Sequence, residues 1–81
     1  MVITVYVTET DIESGRKYTL TSCPIAFALS RITRKRISVG ARRFREVGMS
    51  TDYPLPASAV SFIAAFDLGK EIHPFSFKVN I

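Results

Sequence analysis

From Phe75 to Ile81 the chain alternates strictly, with Phe75, Phe77, Val79 and Ile81 at odd positions and Ser76, Lys78 and Asn80 at even ones. That period of two is the pattern of a strand with one buried face, so another element must cover the apolar row. Two stretches have the spacing to do it. Ile25, Ala28, Leu29 and Ile32 fall at i, i+3, i+4 and i+7 behind Ser22, Cys23 and Pro24, which predicts a helix that carries its proline in the first turn. Ala59, Phe62, Ile63 and Phe66 repeat the spacing between Ala57 and Leu68, with Gly69 behind them as a C-cap. At 81 residues there is room for one small core, so residues 1–81 are read as a single domain.

The remaining elements follow from composition. Val2 to Thr8 is β-branched and aromatic, with Val2, Thr4 and Tyr6 on one face and Ile3, Val5 and Val7 on the other, a first strand. Thr10 to Glu13 predicts one helical turn, with Thr10 as N-cap and Glu13 closing a capping box, stopped at Gly15. Ile37–Val39 and Arg42–Val47 read as two short strands joined at Gly40 and Ala41. Gly48 to Pro56 reads as loop. The expected fold is α+β, a small two-layer sandwich of about four strands in a mixed or antiparallel sheet, with two main helices on one face.

Apolar residues make up 47% of the chain and aromatic ones 11%, which excludes a disordered polyelectrolyte. The run from Val2 to Val7 is too short for a membrane span or a signal peptide, and the single cysteine, Cys23, has no internal disulfide partner. The expectation is a cytoplasmic protein with no membrane association.

Charge is regional. Between Arg31 and Arg45 stand seven basic residues, Arg31, Arg34, Lys35, Arg36, Arg42, Arg43 and Arg45, and no acid. Elsewhere four basic groups face seven acids, a balance of −3, which brings the total to +4. Such a concentrated field attracts an acidic protein or a nucleic acid, and these seven residues are the candidate site. Arginine outnumbers lysine six to one in the segment, and guanidinium binds phosphate or carboxylate with two parallel hydrogen bonds. Phe27 and Phe44 would add stacking surfaces for single-stranded nucleic acid if exposed. The competing reading is a solvated charged face with both rings turned inward.

Catalytic chemistry has little to rest on. Cys23 at a helix N-terminus and His73, the one imidazole, are the sole candidates for a nucleophile pair, and each has an ordinary reading as a buried small hydrophobe and a loop residue. The carboxylates show no paired spacing, no glycine-rich loop is available for phosphate, and one Cys with one His makes no conventional metal set. No enzyme, metal or cofactor is expected. Phe62, Phe66, Phe75 and Phe77 are read as core, and Asp67 as a salt-bridge anchor for Lys70 or a buried arginine.

Cys23-Pro24-Ile25-Ala26, followed by Leu55-Pro56, Phe62-Ile63, Phe66-Asp67, Gly69 and Pro74-Phe75-Ser76-Phe77, resembles a family of small tailed-bacteriophage proteins. The pattern is one of core and turn residues and carries no chemistry. The resemblance implies a phage accessory protein that acts on host machinery, as anti-CRISPR proteins do. The basic segment lies outside the pattern. The expected function is binding, with an acidic host protein complex or nucleic acid as partner; the alternatives are a small nucleic-acid-binding module or a structural protein without a ligand, as monomer or homodimer.

Overall fold

The two ends of the chain pair with each other. In the computed structural model, which describes residues 1–81, strand β1 (Val2–Val7) runs antiparallel to β5 (Phe75–Asn80), with Val5 opposite Phe77 and Ile3 opposite Val79. Val5, Val7, Phe77 and Val79 are buried, so the odd rows of both strands form one apolar face, as the alternation predicts. Phe62 from helix α3 (Ala57–Asp67) stacks on Phe75 at 4.7 Å, and Phe75 on Phe77 at 5.5 Å. The four phenylalanines of this region are core and its border, not a binding box.

A second sheet is a meander of β2 (Ile37–Val39), β3 (Arg43–Glu46) and β4 (Tyr53–Pro54), all antiparallel. The strands therefore number five in two sheets rather than about four in one, within the α+β class. The added strand lies in the stretch read as loop. β4 and β5 are neighbours, and Pro54 has no N–H to offer across that gap. Along β2 the other edge is closed: Ile37 N donates to Ser30 Oγ at 3.3 Å and Val39 N to the Leu20 carbonyl at 2.7 Å.

Helix α2 (Pro24–Thr33) lies between the sheets, with Ile25, Ala26, Ala28 and Leu29 buried. Ile32, predicted for the same core face, is 44% exposed, because the last turn of the helix passes beyond the cover of the strands into an open depression with Ile3, Phe44 and Tyr53. The helix ends at Arg34, which takes left-handed angles (φ 59°, ψ 30°) where glycine is the usual residue.

The short helix α1 (Glu9–Ser14) begins two residues earlier than the sequence reading places it. Thr8 is the N-cap, its hydroxyl accepting from Asp11 N at 3.2 Å while Asp11 Oδ2 accepts from Thr8 N at 2.9 Å. Asp11, not Glu13, closes the box because it stands at N3 once Thr8 is the N-cap, and Arg31 holds the same carboxylate: two guanidinium nitrogens of Arg31 donate to Asp11 Oδ1 and Oδ2, both at 2.8 Å. The same guanidinium donates to the Tyr6 carbonyl at 2.9 Å. At the far end, a Cβ on Gly15 would stand 2.6 Å from the Pro24 ring, so only glycine lets α1 close against the start of α2. None of the helices is long and apolar enough to cross a membrane.

Burial alone pushes the Asp11 carboxyl up, but the Arg31 guanidinium and the Thr8 N–H outweigh it and hold the group below its ordinary value of 3.8. The stabilisation from this depressed acid is complete above that ordinary value and is lost as pH falls through the lower folded one. Asp11→Asn should cost about 1–2 kcal/mol at neutral pH, since it weakens a charge-assisted pair whose carboxylate is buried and whose guanidinium is half exposed. Urea unfolding followed by circular dichroism should show the wild-type advantage at neutral pH and its shrinkage under strongly acid conditions.

Candidate functional site

The alternation of β2 and β3 sorts the basic segment. Ile37, Val39 and Phe44 turn inward and are buried, so Ser38, Arg43 and Arg45 stand on the outer face, with Ser38 opposite Arg45. Val47 N donates to the Arg36 carbonyl at 2.8 Å, which continues the ladder by one pair and sets Arg36 and Val47 on that outer face as well. The helices pack on the inner side, and the outer side is left to solvent.

The seven predicted site residues do not form one cluster. Arg31 is taken up by Asp11 and the Tyr6 carbonyl, at the junction of β1, α1 and α2, and so is a structural clamp rather than part of the hairpin face. Lys35 lies 3.6 Å from Glu46, and Arg45 3.2 Å from Asp52, both exposed pairs of modest strength. Arg34, Arg36, Arg42 and Arg43 have no acid within 4.0 Å. Arg36 and Arg43 stand on the outer sheet face with Arg45, whereas Arg34 caps α2 and Arg42 occupies the hairpin loop.

Both candidate stacking rings are withdrawn. Phe44 is buried and lies 5.4 Å from the Tyr53 ring, and Phe27 is half-buried on α2. In their place the outer face carries aliphatic side chains. Leu20, Ser38, Arg43 and Arg45 line one shallow depression, and Leu20, Ser38, Arg45, Val47 and Met49 the next. Leu20, Val47 and Met49 are all exposed large hydrophobics.

Leu20 belongs to a segment, residues 16–22, whose sequence shows no helical or strand period. The structure ties it down at four points: Arg16 N donates to the Ser22 carbonyl at 2.8 Å, Thr19 Oγ1 to the Arg16 carbonyl at 2.8 Å, Tyr18 N to Asp67 Oδ1 at 3.0 Å, and Val39 N to the Leu20 carbonyl at 2.7 Å. Asp67 thus anchors a backbone N–H, not a cation as the sequence reading has it. No local pattern could have revealed these bonds, because two of the four partners are far away in the chain.

Cys23 is the N-cap of α2, its sulfur accepting from Ala26 N at 3.4 Å. Burial raises its pKa, the opposite of what a nucleophilic thiol needs. His73 lies on the surface, 3.5 Å from Glu71. No group of three or more His, Cys, Asp and Glu side chains is placed to hold a metal ion. Comparisons with protein families, curated proteins and solved structures found no match to this chain.

In the native protein Cys23 should react with a chromogenic disulfide reagent at least about tenfold more slowly than in the unfolded chain, as burial and the raised pKa both require. A native rate equal to the unfolded one would show the thiol to be accessible. Arg34→Gly should raise stability by about 1 kcal/mol, the cost of left-handed backbone for a residue with a Cβ, as read by urea unfolding.

Proposed function

We propose that the protein acts by binding, with the outer face of the β2–β3 hairpin docking on an acidic protein surface. The observation that carries this is the mixture on that face: unpaired Arg36 and Arg43 beside Arg45, interleaved with exposed Leu20, Val47 and Met49. Arginine and methionine are enriched in protein interfaces and lysine is depleted, and apolar area between the charges gives a protein partner something to bury. Within the hairpin itself the one aromatic ring, Phe44, is buried and cannot stack on bases.

The resemblance to small phage proteins gives this partner a setting. A host defence complex in the cytoplasm, inhibited by an accessory protein that covers an acidic patch, is the form of the function that agrees with it. The residues assigned to the contact are Arg36, Arg42, Arg43 and Arg45, with Arg34 and Lys35 at the border. Arg31 is omitted because its fork is occupied.

The test uses affinity capture from host lysate, with the recovered partner identified and its affinity measured against wild type and Arg36→Glu/Arg43→Glu. The double variant should bind at least about tenfold more weakly, since opposed like charges replace two attractive contacts, with an unchanged melting temperature. Equal affinity of the two proteins would refute the proposal. So would tight binding of duplex or single-stranded nucleic acid at physiological salt with a steep salt slope, which would make the protein a nucleic-acid-binding module.

A further inference from the structure

We infer that Tyr18 and Leu20 are the apolar anchors of the docking face, inserting into an apolar cleft on the acidic partner while the hairpin arginines contact its rim. The inference rests on the proposed arginine face and extends it to residues 16–22. Tyr18 is 74% exposed and Leu20 60%, so neither side chain serves the core. Yet the segment that displays them is fixed by hydrogen bonds at both ends and in the middle, through Ser22, Asp67 and β2. Tyr18 also holds left-handed backbone, with φ 57°, a conformation that is unfavourable for an aromatic residue and natural for glycine. A loop spends neither strain nor four hydrogen bonds to leave an aromatic ring in water without consequence for what it meets.

Leu20 makes the surface continuous. It shares one depression with Arg43 and Arg45, and on its other side a cavity of about 210 Å³ with Tyr18, Cys23, Phe62 and Phe66. Leu20 therefore sits beside the charge and joins it to the cavity that Tyr18 lines. Large, pre-ordered side chains surrounded by polar groups are the usual carriers of binding energy in protein interfaces, because little freedom remains to be lost on association. The free charge of Arg36 and Arg43 sets the sign of the partner, and the projecting Tyr18 and Leu20 set its shape: an acidic protein surface with an apolar recess.

The test selects binders to the immobilised full chain from a displayed random-peptide library at physiological salt. The tightest peptide is then mapped by NMR shifts on the labelled protein. Expected are peptides that combine Asp or Glu with bulky apolar residues, and shifts at Tyr18, Leu20, Ser38 and Arg43. Tyr18→Gly and Leu20→Ser should each weaken binding by about tenfold or more, as hot-spot truncations do, while Tyr18→Gly melts no lower than wild type. If Arg36→Glu/Arg43→Glu loses the peptide and these two variants keep it, the anchors are refuted and the arginine face stands. If none of the three loses it, both fail. Shifts confined to the depression around Ile3, Ile32 and Tyr53, or a selection without acidic peptides, overturn the inference on the wild-type protein alone.

Discussion

The Arg31 fork is the contact on which the arrangement of the first half of the chain turns. One guanidinium reaches the Tyr6 carbonyl near the end of β1 and both oxygens of Asp11 in α1, from the last turn of α2. Asp11 in turn closes the capping box with Thr8, so a single carboxylate is bonded from both flanks and is buried with its charge compensated. Without that compensation Asp11 would be an uncancelled charge in an apolar junction, and α1, six residues long, has too few hydrogen bonds of its own to persist. The pair places α1 against α2, and Gly15 lets the contact close at the other end.

The same contact reshapes the charge of the molecule. The basic segment begins with Arg31, and pairing that residue with Asp11 moves the centre of the unpaired charge toward the hairpin. Lys35 and Arg45 are then partly screened by Glu46 and Asp52. Within the basic segment, what remains without an acid partner is arginine alone, at positions 34, 36, 42 and 43. The distribution of unpaired charge is thus a product of the fold's own ion pairing as much as of composition.

Much of this was legible in the sequence, and the reasons for the rest are physical. Helical and strand periods placed α2, α3, β1 and β5, because each buries one face and period reports burial directly. Alternation sets Arg43 and Arg45 on one face of their strand, and the burial of Phe44 on the other is what makes that face the outer one. Thr8 and Asp11 stand at capping-box spacing, but Thr8 also continues the β-branched strand, and Thr10 with Glu13 offers the same spacing two residues later. Nothing near Arg31 marks it as engaged, since its partner lies twenty positions away. β4 is two residues long and half proline, below what any period can show. The 16–22 segment was opaque for a similar cause: its order comes from Asp67 and Val39, not from its own residues.

Charge by itself is too weak to hold a partner on this face. Exposed ion pairs contribute roughly 0–1 kcal/mol each, so four free arginines supply about 4 kcal/mol at the most generous. Micromolar affinity requires about 8 kcal/mol after the losses of association. At physiological salt the field also fades within about 8 Å, which leaves the arginines to steer encounter and reject basic surfaces more than to retain a bound one. The deficit has to be met by apolar burial, at about 1.5–3 kcal/mol for each large side chain fully covered. Next to the arginines the exposed side chains of that size are Leu20, Val47 and Met49, and Leu20 stands with Tyr18 on the segment that the fold holds in place. A partner that met only the arginines would dissociate quickly, and one that met only the apolar group would arrive slowly; the arrangement of both on one face is what makes a stable and selective contact physically attainable.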